Sequence, residues 1–144
     1  MNYMAEDRTL RRLLLAWGPV LVFMALIFVA SAQPKHAPPP GTDGFYFSGS
    51  MPVFEGGWET IIKKSAHVAA YSGLTLLIIR GLRHSGSSPR EAALLGVILA
   101  ASFAISDEMH QTAVAGRNGT VLDIGLDYVG AVLASWTQVV QDRK

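Results

Sequence analysis

"LLLAWGPVLVFMALIFVA", residues 13–30, decides how this chain is read: 18 consecutive residues without a charged side chain, entered directly from Arg11 and Arg12. A helix of that length rises about 27 Å, close to the roughly 30 Å of a bilayer's hydrocarbon layer. The run therefore predicts a membrane-spanning helix, with Pro19 expected to kink it. A basic start, an apolar core and the small residues Ala30-Ser31-Ala32 also have the form of a cleaved secretory signal. The run exceeds the roughly 7–15 residues of a signal core, which favours a retained span.

The rest of the chain fits that solvent. Half of its 144 residues are hydrophobic and 16% are charged, an ordinary balance for a small helical membrane protein. The length allows one domain, residues 1–144, because two would each be too small to bury a core. A net charge of +1 argues against a nucleic-acid binder, which needs an excess of Lys and Arg on one surface. The absence of cysteine excludes disulfides, thiol catalysis and cysteine-rich metal sites.

Three further apolar runs follow, at residues 65–82, 92–106 and 121–140. The middle one is too short to span alone, so its helix is expected to continue through Asp107, Glu108 and Gln111. The fold expected is all-α: a four-helix transmembrane bundle with spans at about residues 12–31, 62–82, 91–112 and 121–140. Residues 32–60 form a long extracytoplasmic loop between the first two spans. The short polar linker "RHSGSSPRE" makes spans two and three antiparallel neighbours.

Orientation follows from the basic residues near the span ends. Arg8, Arg11, Arg12, Arg80, Arg83, Arg90, Arg143 and Lys144 fall on one side, and Lys35, Lys63, Lys64 and Arg117 on the other. That bias puts both termini of a multi-pass membrane protein in the cytoplasm. Trp17 and Trp136 then sit toward the inner interface and Trp58 toward the outer one.

With this topology the polar residues converge. Lys64, His67 and Tyr71 share one face of the second span, at its outer end. Asp107, Glu108 and Gln111 end the third span there, Asp123 and Asp127 begin the fourth, and the loop between them carries Arg117. Ionisable groups at membrane depth are costly and turn toward a bundle interior or a wet cavity. The helix dipole favours Asp123 and Asp127 near the start of their helix and disfavours Asp107 and Glu108 at the end of theirs. Asp107 and Glu108 therefore need Lys64, Arg117, a metal ion or a proton, which marks them as proton carriers. Lys63, Lys64 and His67, at the head of the second span, form an anion site.

Each residue also has a plain structural role. Lys63 and Lys64 can anchor to lipid head groups, His67 can be a packing histidine, and Asp123 an N-terminal helix acid paired with Arg117. His110 lies off the Asp107–Gln111 face and reads as interfacial. Gly96 with Ala100, and Gly130 with Ala134, have the spacing of close helix packing. Imidazole and carboxylates from His67, Asp107, Glu108 and Asp123 suit divalent ions, but no recognised ligand spacing is present and the sequence assigns no metal. No soluble-enzyme motif is found, and no cofactor is indicated.

The segments "KKSAHVAAYSGL" (63–74) and "DEMHQTAVAGRNGTVLDIGLDYVGA" (107–131) together resemble the VanZ-like family of small bacterial membrane proteins. The family's pattern falls on Lys64, His67, Tyr71, Asp107, Glu108, Gln111, Arg117, Asp123, Asp127 and Gly130. This chain departs from it at Lys63 and Ala70, where many members carry an acid, and at Ala113, where an aromatic residue is common. The resemblance implies a link to the cell envelope, since the family is named for a protein associated with teicoplanin resistance; it implies no reaction.

Two functions are expected from these residues. The first is a polar pocket at the outer membrane face that binds or processes an anionic envelope lipid or a related glycopeptide-resistance target. In it His67, Asp107 and Glu108 are the catalytic candidates, and Lys64, Tyr71, Gln111, Arg117, Asp123 and Asp127 bind the ligand. The second is a non-catalytic structural or regulatory envelope protein whose polar cluster locks the bundle. The sequence leaves open whether any reaction occurs.

Overall fold

The computed structural model describes residues 3–33, 57–114 and 119–142. They form four helices: α1 (Tyr3–Ser31), α2 (Gly57–His84), α3 (Pro89–Gln111) and α4 (Val121–Gln141). No strand is found among the described residues. The fold is all-α, as the apolar runs predict. Residues 34–56 between α1 and α2, which include Lys35 and most of the expected extracytoplasmic loop, lie outside the described residues, as do Arg117, Arg143 and Lys144.

Three segments, Arg8–Ser31, Thr60–His84 and Pro89–Gln111, are long and apolar enough to cross a membrane. The fourth helix carries Asp123 and Asp127 and packs against both α2 and α3. As expected, α3 continues through Asp107 and Glu108 to Gln111. Pro19 lies inside α1, which runs past it as one helix.

The turn between α2 and α3 is written into "HSGSSPRE". Gly86 takes φ +98°, and the Ser87 and Gly86 amides donate to Leu82 O and Arg83 O, each at 3.1 Å. This closes α2 with a Schellman motif, which favours glycine because a Cβ is strained at positive φ. Two residues on, Ser88 caps α3 in a capping box with Glu91, and Pro89 opens the helix. The two helices are thus forced back against each other.

Specific contacts fix the remaining directions. Lys64 meets Asp123, Ser72 meets Gly130 and Arg83 meets Asp142, so α2 and α4 run parallel, their partners close to 59 positions apart throughout. Ser135 donates to Ala93 O and the Thr120 amide to Glu108, so α3 is antiparallel to α4. Gly73 lies against Phe23 and Gly81 against Ala16, so α1 is antiparallel to α2. The bundle runs up and down, and both ends of the described chain lie on the same side.

The packing is uneven. Helices α2, α3 and α4 form a tight three-helix core, while α1 lies mainly along α2. Small residues make the core possible: Ala92, Ala93, Ala100, Ala104, Ala131 and Ala134 are all buried. At Gly130 an added Cβ would stand 2.4 Å from Val68 O, and at Gly96 one would stand 2.6 Å from Ile79 Cγ1. The large apolar side chains point outward instead; Leu13, Leu14, Leu21 and Leu26 of α1 are each about half exposed or more. Such a surface is a liability in water and the natural face of a helix in lipid.

Candidate functional site

Among the largest fully buried side chains are three acids, Asp107, Glu108 and Asp127. A protein that buries carboxylates and exposes leucine must satisfy those acids internally. All lie at the end of the bundle where α1 and α3 finish and α2 and α4 begin.

The parallel register of α2 and α4 supplies the first contacts. Lys64 Nζ lies 3.1 Å from Asp123 Oδ1, both side chains about one-fifth exposed. One turn further in, His67 Nδ1 lies 3.1 Å from Asp127 Oδ1, and Asp127 is fully buried. A spacing of three on α2 and of four on α4 carries both pairs along one seam. Below them Ser72 Oγ donates to Gly130 O at 2.9 Å, where the two backbones come closest.

The acids of α3 are met by neutral donors. Gln111 Nε2 donates to Asp107 Oδ2 and to Glu108 Oε1, each at 3.1 Å. Glu108 Oε2 accepts the Thr120 backbone amide at 2.8 Å, and Asp107 Oδ1 accepts from Ser31 Oγ at the end of α1. Thr120 also caps α4, its hydroxyl accepting from the Asp123 amide at 3.1 Å. The C-terminal acids of α3 are therefore held in part by the positive N-terminal end of α4. Lys64, which the sequence offered as a counter-ion for them, is engaged by Asp123 instead, because the parallel register of α2 and α4 places those two residues opposite one another.

A cavity of about 390 Å³ opens beside this network, between α1 and α2, with Asp107 of α3 at its base. Its polar lining is Ser31, Lys63, His67, Tyr71 and Asp107, and its apolar lining is Ile27, Ala30, Ala66 and Ala70. Tyr71 is 1% exposed, and its hydroxyl has no hydrogen-bond partner among the described residues. His110 stacks on Phe28 of α1, ring centroids 4.0 Å apart, rather than facing Asp107 and Gln111.

The sequence-predicted set is thus divided. His67, Tyr71 and Asp107 line the cavity; Lys64, Glu108, Gln111, Asp123 and Asp127 form the network between helices; Arg117 lies outside the described residues. Two contributors were not singled out from the sequence. Ser31 was read only as part of a small-residue triplet, and Thr120 acts on Glu108 through its backbone; its N-cap position ahead of an apolar run is the one signal that could have exposed it. His67, Glu108 and Asp127 each bring one ligand-capable atom within 4.8 Å of the others, a grouping drawn from three helices that no spacing in the sequence displays.

No curated protein and no solved structure matches this chain. Residues 16–140 match the VanZ/LLP1 family, a span that takes in all the described site residues and the whole of α2 and α3. The buried acids, the three apolar helices and this match over most of the sequence lead to one conclusion: the chain is a membrane protein of the VanZ/LLP1 family.

Proposed function

We propose that the cavity is a binding site for an anionic envelope lipid, at the outer face of the bacterial cytoplasmic membrane. The observation that carries this reading is its two-sided lining. Lys63 and His67 offer cationic or hydrogen-bonding groups, while Ile27, Ala30, Ala66 and Ala70 offer an apolar wall. A phosphate head group and the start of an acyl chain have that combination of needs. The charge distribution supports the orientation: Arg8, Arg11, Arg12, Arg80, Arg83 and Arg90 lie at the opposite end of the bundle from Lys63 and Lys64. A glycopeptide-resistance target would be reached from the same face.

If the lipid is processed as well as bound, His67 and Asp107 are the proton-exchanging groups placed in the cavity, with Glu108 behind them. The alternative, a structural network, draws support from the pairs Lys64–Asp123 and His67–Asp127 and from the Glu108–Thr120 hydrogen bond, which tie α2, α3 and α4 together. Native mass spectrometry of the full chain released from a mixed-lipid membrane separates the two. Retained anionic phospholipid is expected, reduced by about tenfold or more in Lys63→Ala, a loss equivalent to roughly 1.4 kcal/mol. Equal retention by Lys63→Ala and wild type overturns the lipid site, and a fall in melting temperature for Asp123→Ala and Asp127→Ala in detergent then favours the network.

A further inference from the structure

The geometry points to a divalent transition-metal site formed by His67, Glu108 and Asp127, beside the cavity that His67 and Tyr71 line. Imidazole and carboxylate are the donor types that zinc and manganese accept. Ligand atoms on an ion with bonds of about 2.1 Å stand about 3.4 Å apart in the tetrahedral arrangement of zinc, and about 3.0 Å apart, or about 4.2 Å when opposite, in the octahedral arrangement of manganese. His67 Nδ1 and Asp127 Oδ1 are 3.1 Å apart, and the three donor atoms all lie within 4.8 Å of one another. Small side-chain rotations close the remaining gap.

The surroundings are those of a built site. Glu108 and Asp127 are 0% and 1% exposed, and two buried carboxylates balance the charge of one divalent ion where isolated charges are costly. Glu108 is already held by Gln111 Nε2 and the Thr120 amide, the kind of outer contact that orients a metal ligand.

The independent observation is Tyr71. Its hydroxyl is buried without a hydrogen-bond partner among the described residues, although burying such a group unpaired is costly. The residue lines one cavity with His67 and Asp107. A water or ligand oxygen carried by the ion on the cavity side supplies the missing acceptor. This proposal does not depend on the lipid reading, since an ion here would serve a binding site or a structural bundle alike.

The test uses the full chain in detergent, stripped with a chelator and dialysed against Mn²⁺ or Zn²⁺ with no lipid added. The expected result is a single ion retained per chain, a melting temperature that rises with ion concentration, and at least about tenfold weaker binding in His67→Ala. Pulsed electron paramagnetic resonance of the Mn²⁺-loaded wild type is expected to show coupling to an imidazole nitrogen, a readout that requires no variant to fold. Either of two results overturns the proposal: no ion retained at micromolar free metal, or retention without nitrogen coupling and unchanged in His67→Ala. If the ion binds and Lys63→Ala keeps its lipid, the metal site stands and the lipid reading falls.

Discussion

Glu108 uses both of its carboxylate oxygens: one accepts from Gln111 Nε2 and the other from the Thr120 amide. Glutamine in its place has a single acceptor oxygen and an amide that donates, so one of the two donors loses its acceptor. Glu108→Gln is therefore expected to lower stability by about 1–3 kcal/mol, read as a fall in melting temperature in detergent. Unchanged melting would show that these hydrogen bonds do not hold α3 to α4. Gly130 makes a different demand. The Cβ of alanine there would meet a backbone oxygen, Val68 O, at 2.4 Å, and a backbone cannot rotate away as a side chain can. Gly130→Ala is expected to cost about 1–3 kcal/mol. Because Asp127 lies one turn before it on α4, the same shift should draw Asp127 away from His67. A Gly130→Ala protein that melts with wild type would mean that α2 and α4 do not approach this closely.

At the scale of elements, the helices were legible because their signals are local. The spans expected at residues 12–31, 62–82, 91–112 and 121–140 lie on the four observed helices, with α1 and α2 extending further at their N-terminal ends. Those extensions mix charged and apolar residues, and a hydropathy run does not register them. The α2–α3 turn was legible for the same reason, since Gly86, Ser88, Pro89 and Glu91 each act on backbone groups within a few residues. Depth within the bundle was legible too: His67, Asp107, Glu108, Asp123 and Asp127 do gather at one end. Which residue meets which was not, because that depends on helix rotation. Lys64 turns to Asp123, and His110 turns to Phe28 of α1.

For the whole molecule, the up-and-down order places both ends of the described chain on one side, together with Arg8, Arg11, Arg12, Arg80, Arg83 and Arg90. Reporter fusions at residue 1 and residue 144 are accordingly expected to report the cytoplasm, and one inserted near residue 45 the opposite side. A cytoplasmic signal from residue 45 would reverse the orientation and put the cavity on the inner face. The uneven packing matters for function at this scale. Because α1 rests mainly on α2 rather than inserting among all three partners, a cavity is left between them at the level of the acids.

By itself the sequence determined the apolar spans, the number of helices, their alternating direction and the gathering of the charges at one end of the bundle. These follow from apolar run length, from turn chemistry and from the cost of placing charge in hydrocarbon. Only the tertiary structure decided the pairing of Lys64 with Asp123, the capture of Glu108 by a backbone amide of α4, and the gathering of His67, Glu108 and Asp127. Each joins residues on different helices, and the rotation that brings them together is set by how closely two backbones can pack, at Gly130 above all.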